Sequence, residues 1–278
     1  MLSASELKTL LRTHGLRLSK RLGQHYLIDA RMIERIAEAC QLSRSDTVVE
    51  IGAGLGALTE PLARRAGRVR AVEIDRRVAA LLAERLSRFR NVSVVCGDIL
   101  DTPQARLGGA VIVGAIPYVI TSPILAWLAQ RSTAIRRAIL VMQAEVADRM
   151  LAAPGTRAYS RLSLLARYSW TVRQLFPVPR SAFFPQPDVD SACLELVPWA
   201  SPPVAVDDES FLFAVVKTAF SQRRKTLVSC LVRPGPCGAP RPTIEAATAS
   251  LSLPPTVRGE VLSLEQFAAL ANALWRAR

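Results

Sequence analysis

Between residues 47 and 151, short β-branched runs alternate with longer amphipathic stretches. The runs have the length of strands, and the stretches place apolar residues at helical spacing. Strands that alternate with helices form a mainly parallel sheet that is covered on both faces. This pattern predicts an α/β domain with strands at 47–51, 69–74, 92–96, 110–114 and 138–142 and helices at 56–66, 76–87, 122–131 and 144–151.

The pattern changes further along the chain. Two more strand candidates, 169–175 and 192–197, follow each other without a helix and can form an antiparallel addition at one edge of the sheet. A linker with turn chemistry and two prolines follows Pro198. Beyond it the sequence predicts helices at 209–221, 224–231, 243–251 and 264–277. We therefore predict two domains, 1–200 and an all-helical 201–278.

The charge of the chain limits its partners. With 36 Lys plus Arg against 23 Asp plus Glu, the net charge is +13. Such an excess indicates a nucleic acid or an acidic membrane surface, although the arginine usage of a GC-rich genome also accounts for it. No apolar run approaches the roughly 18 residues of a membrane span, so an integral membrane protein is excluded.

The cysteine and histidine content argues against a metal site. The five cysteines are scattered without a Cys-x-x-Cys pair, and there are two histidines. This usage fits a reducing cytoplasm. The basic N-terminus lacks the apolar stretch of a secretory signal, and its composition leaves a mitochondrial presequence open. We expect a cytoplasmic protein without a metal.

Three predicted strands end in residues suited to an adenosyl ligand. Gly52, Gly54 and Gly56 follow the first strand and allow a tight turn and close approach of a ligand. Glu73 ends the second strand, where a carboxylate can accept both ribose hydroxyls, and Asp98 follows the third. Ligands of such sheets bind at the carboxyl ends of the strands. The ordered set resembles the class I S-adenosylmethionine-dependent methyltransferases, whose Rossmann-like sheet is flanked by helices.

The fourth strand leads into Ala115-Ile116-Pro117-Tyr118. Methyltransferases that act on exocyclic amines have an Asn or Asp, then Pro, then an aromatic residue at this place. The amine lone pair of a base is delocalised into the ring, so two acceptors are needed to hold both amine hydrogens and orient the lone pair. The aromatic ring stacks on a base that has left its helix.

Four further segments make the resemblance specific. Residues 20–27 resemble the K-x-x-G-Q-[NH]-[FY]-L signature of the rRNA adenine dimethyltransferases, and 183–192 resemble their F-x-P-x-P-x-V-D-S-A stretch. Residues 154–163 and 219–227 resemble blocks of the branch that acts on small-subunit rRNA. From about residue 12 to residue 270, the chain is similar to this family.

The resemblance implies the roles of individual residues. The cofactor would be S-adenosylmethionine, covered by an N-terminal segment 12–30, and the target adenine would lie between Tyr118 and Phe183. The partner would be small-subunit rRNA or a precursor small ribosomal subunit, bound by a monomer. The implied cofactor-binding residues are Gln24, His25, Leu27, Gly52, Gly54, Glu73, Ile74, Asp98 and Ile99.

One residue departs from the family pattern N-[LI]-P-[YF]. Ala115 occupies the Asn position, and its side chain cannot accept a hydrogen bond from the amine. The remaining acceptor would be the carbonyl of Ile116 or Pro117. Loss of one preorganised hydrogen-bonding group costs about 10²–10³ in rate. Either the natural protein has diverged, or the chain is an Asn-to-Ala variant.

The positive charge is concentrated in one block. Residues 131–180 carry nine arginines against two acids, a net excess of seven, next to the predicted adenine pocket in sequence. The cluster 223–225 at the start of a predicted helix is either a solvated face or a phosphate contact, and we favour RNA. The predicted RNA-binding residues are Arg149, Arg157, Arg161, Arg223, Arg224 and Lys225.

The leading hypothesis is therefore dimethylation of adenine amines in small-subunit rRNA during ribosome assembly. A catalytically weak assembly factor of the same fold, suggested by Ala115, is an alternative from another class. The large-subunit branch of the family is a third, and residues 222–226 argue against it. A methyltransferase of small molecules is disfavoured by the basic block.

Overall fold

The computed structural model describes residues 4–16, 23–232 and 234–278. The chain divides into unit 1, residues 1–147 and 171–198, and unit 2, residues 148–170 and 199–278. Within these described residues no helix has the length and apolar composition to cross a membrane.

The elements are numbered in chain order. The helices are α1 Ala4–Thr13, α2 Ala30–Ala39, α3 Thr59–Arg65, α4 Arg76–Arg85, α5 Thr121–Ala129, α6 Ala144–Leu151, α7 Arg161–Ser169, α8 Glu209–Ala219, α9 Leu227–Leu231, α10 Arg241–Ser250 and α11 Leu264–Arg276. The strands are β1 Tyr26–Leu27, β2 Thr47–Ile51, β3 Arg68–Glu73, β4 Val92–Cys96, β5 Ala110–Ala115, β6 Ile135–Gln143, β7 Trp170–Val178, β8 Phe183–Phe184 and β9 Ser191–Pro198.

Unit 1 contains a seven-stranded sheet in the order β4-β3-β2-β5-β6-β9-β7. Strands β2 to β6 pair in parallel, and β9 pairs with β6 antiparallel. Residues 110–113 of β5 are completely buried, as expected for a central strand covered on both faces. The predicted α/β fold and its antiparallel edge are confirmed. The strand order reverses between β2 and β5, which is where such sheets bind ligands.

A second sheet of unit 1 was not visible in the sequence. In the described part of the chain it consists of β1 and β8, which pair antiparallel with Tyr26 opposite Phe184 and Leu27 opposite Phe183. Two-residue strands are too short to produce an alternating pattern, so no sequence periodicity could indicate them.

Unit 2 is helical, and it includes residues 148–170, which the sequence placed in the first domain. Helix α7 explains the difference. Its Leu164 and Tyr168 belong to the apolar core of α8 to α11, and the Tyr159 hydroxyl before it donates to the Leu262 carbonyl at 2.8 Å. The sequence analysis missed α7 because the buried residues Ser163 and Ser169 interrupt its apolar pattern.

The predicted start of the helix at 224 is wrong. Helix α9 begins at Leu227, because the Thr226 hydroxyl caps it by accepting from the amide of Ser229 at 3.3 Å. Arg223, Arg224 and Lys225 therefore precede the helix.

Candidate active site

A cavity opens in unit 1 at the carboxyl ends of β2, β3 and β5, where the strand order reverses. Its empty volume is about 1360 Å³, including the part open to solvent. Gly52, Glu73, Asp98 and Ala115 line it, each at or just beyond the end of a different strand. The tertiary structure therefore brings together the four strand ends that the sequence selected.

The glycine loop after β2 leaves no room for a side chain at its centre. Gly54 has a φ of +55°, which L-residues rarely adopt. A Cβ atom there would lie 2.9 Å from Cε1 of Tyr26. Glycine at this position therefore lets the loop turn beneath the Tyr26 ring and keeps its backbone accessible to a ligand.

Glu73 ties this loop to the end of β3. Its Oε2 atom accepts from the amide of Gly54 at 2.8 Å, and its Oε1 atom accepts from the amide of Asp75 at 2.9 Å. Burial raises the pKa of Glu73, and backbone hydrogen bonds from Asp75, Gly54 and Ile74 oppose that shift. A carboxylate has about four lone-pair sites, so the side chain can hold the loop and still accept a ligand hydroxyl.

A further carboxyl group, which the sequence did not single out, lines the same cavity. Glu50 is 2% exposed, and its Oε2 atom has no hydrogen-bond partner among the described residues. Burial raises the pKa of Glu50 to about 8, with Thr59 acting against the shift and Glu73 adding to it. A charged residue in an otherwise apolar central strand was the signal that could have found it.

Two strand ends supply apolar surface beside polar groups. Asp98 follows β4 and accepts from the amide of Leu100 at 2.9 Å, which fixes its side chain. Ile74 after β3 is half exposed, whereas Ile99 is buried, and both line the cavity. An acceptor between two aliphatic side chains is suited to a flat heteroaromatic ring with an amine.

The segment after β5 offers a ligand a backbone acceptor that the described residues leave free. The amide of Ile116 donates to the Val141 carbonyl at 2.8 Å. The Pro117 carbonyl accepts from Ile120 at 3.1 Å and from the Thr121 hydroxyl at 3.3 Å. The Ile116 carbonyl accepts no hydrogen bond from the described part of the chain. Of the two carbonyls that the sequence left open, Ile116 is the one available to a ligand.

Tyr118 is held by two neighbours. Its hydroxyl forms a 2.9 Å hydrogen bond with the Ser191 hydroxyl. The His25 ring stacks on it with centroids 5.7 Å apart and an interplanar angle of 28°. Nδ1 of His25 lies 2.7 Å from the Pro185 carbonyl. Sequence reasoning missed Ser191, although it lies inside the quoted 183–192 stretch.

The predicted covering residues lie beside the second predicted aromatic. Gln24, His25, Leu27 and Phe183 all line the cavity, and the β1–β8 pair places Leu27 opposite Phe183. Phe183 is 5% exposed. Residues 17–22 of the predicted covering segment lie outside the described residues.

The six predicted RNA-binding side chains all belong to unit 2 and are exposed. Arg223 also has protein partners, since its Nε atom contacts Glu260 at 3.0 Å and its Nη2 atom donates to the Arg157 carbonyl at 3.1 Å. Part of its role is therefore to hold residues 157 and 260 together.

The arginine block 131–180 is not a single surface. Arg136 and Arg137 lie at the amino end of β6, opposite in strand direction to the cavity. Arg136 pairs with Asp46 at 3.0 Å, and Arg137 pairs with Glu195 at 3.5 Å. Proximity to the pocket in sequence therefore does not make the whole block part of it.

This fold and this site define a class I methyltransferase. The sequence model of the ribosomal RNA adenine dimethylase family matches residues 15–248 of this chain. The ribosomal RNA small subunit methyltransferase A of Moorella thermoacetica is 43% identical over 277 residues, with 95% of each chain covered. The chain belongs to the ribosomal RNA adenine dimethylase family.

Two crystal structures resemble the chain over most of its length. A dimethyladenosine transferase from Plasmodium falciparum has a TM-score of 0.75 and 27% identity, covering 88% of this chain and 95% of that one. The 23S rRNA methyltransferase ErmE has a TM-score of 0.68 and 32% identity, covering 90% and 99%.

Proposed function

We propose that this chain transfers methyl groups from S-adenosylmethionine to the exocyclic amine of adenines in small-subunit rRNA, in the cytoplasm, during ribosome assembly. The observation that carries the proposal is one cavity that contains both the Glu73-anchored glycine loop and the Ile116–Tyr118 segment. The relative from Moorella thermoacetica, which is named a small-subunit rRNA methyltransferase, supports the choice of RNA.

The residues present fit the cofactor. Glu73 would accept the ribose hydroxyls, and Asp98 would accept from the adenine amine between Ile74 and Ile99. One oxygen of the buried Glu50 carboxyl has no partner among the described residues, and a positively charged ligand group beside it would favour its charged form, whereas a phosphate would oppose it. Gly52 and Gly54 would allow close backbone approach, and Gln24, His25 and Leu27 would cover the ligand. When bound, the cofactor supplies a methyl group on a sulfonium.

The target amine would be held by backbone and oriented by aromatic rings. The Ile116 carbonyl would accept one amine hydrogen, which directs the nitrogen lone pair away from that carbonyl. Tyr118 would stack on the base, with its ring held by Ser191, and Phe183 would contact the other face. Ala115 offers no second acceptor. We therefore expect slow transfer from the chain as it stands.

The RNA would be held by unit 2. Arg149, Arg157, Arg161, Arg224 and Lys225 are exposed cations that can contact phosphates without reading bases. Arg223 would contribute less, because its guanidinium already contacts Glu260. Replacing Arg224 and Lys225 by Ala should weaken RNA binding and lower the salt slope by about one for each lost contact. Arg68→Ala, at the amino end of β3, is the control.

Methyl transfer to assembled precursor small subunits tests the proposal. Both the chain and its Ala115→Asn variant are assayed, with free large-subunit rRNA as the competing substrate. We expect dimethyladenosine only in small-subunit RNA, formed about 10²–10³ times faster by Ala115→Asn. No transfer by either protein would exclude the enzyme.

The same assay separates the alternatives. Comparable methylation rates for the two proteins would exclude the alternative that the chain is a catalytically weak assembly factor, because only Ala115 favours that alternative. Transfer to large-subunit RNA would instead place the chain with the 23S branch, to which ErmE belongs by its name.

A further inference from the structure

Helix α1 packs on the rest of unit 1 through one face. Leu7 is 1% exposed and Leu11 is 7% exposed, and they are four residues apart, so they lie on the same side of the helix. Together they form a small apolar cluster with Leu55, Val78 and Leu81. Leu55 belongs to the glycine loop, and the other two belong to α4. The helix is therefore seated on the two elements that border the cofactor end of the cavity.

Polar contacts of Arg77 and Lys8 also hold α1 in this place. The Arg77 guanidinium on α4 donates through Nη2 to the carbonyls of His14 and Gly15, at 2.9 and 3.0 Å. These carbonyls lie just past the end of the helix, where a cation is favourable. Nζ of Lys8 lies 4.9 Å from the ring centroid of Phe184, next to Phe183.

Leu7 also lines the cavity itself. It does so from a helix that lies before residue 15, where the match to the family begins. A ten-residue helix has little stability alone. Its seat on the rest of unit 1 includes buried leucines and the polar contacts of Arg77 and Lys8, and such a short element can open locally while the sheet remains folded.

We propose that α1 retains the cofactor: Leu7 closes one wall of the pocket, and α1 must leave Leu55 and α4 before the cofactor or its product is released. This inference rests on the proposed function, because it concerns the same ligand. It makes Leu7 a contact residue and Arg77 a positioning residue, which acts by holding α1.

The test uses the full chain and S-adenosylmethionine, with affinity measured by calorimetry and dissociation by rapid displacement. Leu7→Ala should raise the dissociation rate of the cofactor about tenfold, because the Leu7 side chain loses most of its apolar contact with the pocket and with Leu55 and α4. Arg77→Ala should raise it about two- to fivefold, the range for a cation at a helix C-terminus. The matched controls Thr9→Ala and Arg76→Ala alter exposed neighbours on the same two helices and should match the original chain.

Hydrogen exchange provides a second measurement that a merely structural role would not change. Bound cofactor should slow amide exchange in residues 4–13 of the original chain, and less so in Arg77→Ala. Because the Arg77 side chain is exposed, its variant keeps the core intact even if Leu7→Ala loses stability.

The outcomes are distinct. If the original chain binds the cofactor, and Leu7→Ala and Arg77→Ala release it as slowly as the original chain does, the inference is overturned and the proposed function stands. If the original chain does not bind S-adenosylmethionine, the proposed function fails and the inference fails with it.

Discussion

The Oε2 atom of Glu73 accepts a hydrogen bond from the amide of Gly54 at 2.8 Å, although the two residues belong to different strand ends. The carboxylate that would bind the ribose therefore also sets the shape of the glycine loop. Binding of the ligand and conformation of the loop depend on one side chain, which gives substitutions at either residue a specific expected effect.

Replacing Glu73 by Gln should weaken S-adenosylmethionine binding about 10- to 100-fold. Hydrogen bonds to a charged group contribute about 1.5–3 kcal/mol, and the amide nitrogen cannot accept. Calorimetry at neutral pH measures the change. Glu84→Gln, an exposed residue of α4, is the control. An affinity within twofold of the original chain would show that Glu73 is not a ligand.

Gly54→Ala should abolish tight cofactor binding, because the new Cβ would combine left-handed strain with an approach of 2.9 Å to the Tyr26 ring. Gly109→Ala is the matched control, since Gly109 has a φ of +72° but no heavy atom within 4 Å of an added Cβ. It should lose about 1–3 kcal/mol of unfolding free energy and bind normally. Urea unfolding and calorimetry measure both effects. Equal binding by the two variants would contradict the role of the loop.

Tyr118→Phe and Ser191→Ala should have similar effects, because each removes the same 2.9 Å hydrogen bond. We expect a loss of about 1 kcal/mol in transition-state stabilisation for each and little further loss when they are combined. Tyr118→Ala also removes the ring and should cost about 1–3 kcal/mol of stacking in addition. Values of kcat/KM for rRNA methylation give these differences. Full additivity of the two conservative variants would mean that the hydroxyl pair does not act as a unit.

Glu50 should make the folded state less stable as the pH rises. Burial raises its pKa from 4.5 to about 8, so between these values the folded chain binds a proton that the unfolded chain has lost. The stability contributed by the protonated form is complete below about pH 4.5 and is lost as the pH rises through about 8. Urea unfolding of the original chain and of Glu50→Gln from pH 5 to 8.5 tests this. As the pH rises, the unfolding free energy of Glu50→Gln should increase relative to that of the original chain. A difference in unfolding free energy that stays constant with pH would contradict the assignment.

Much of unit 1 could be predicted from local sequence. The β-branched runs gave strands within a few residues of β2 to β6, because a parallel strand buried on both faces is apolar along its length. The order of strands and helices then brought Gly52, Glu73 and Asp98 to one edge. The boundary between the units could not be predicted in this way, because α7 joins the helical core through Leu164 and Tyr168 rather than through its neighbours in sequence.

The sequence by itself determined the kind of sheet, the family and the identity of the groups at each strand end, since these depend on residue type and short spacing. Only the tertiary structure decided which groups meet. The Tyr118 and Ser191 hydroxyls are 73 positions apart in the chain, and Leu7 reaches the loop at Leu55. Neither pair follows a periodic pattern. The Ile116 carbonyl and the Oε2 atom of Glu50, which find no partner among residues 4–16, 23–232 and 234–278, likewise depend on packing, because packing decides which neighbours use up the other hydrogen-bonding groups.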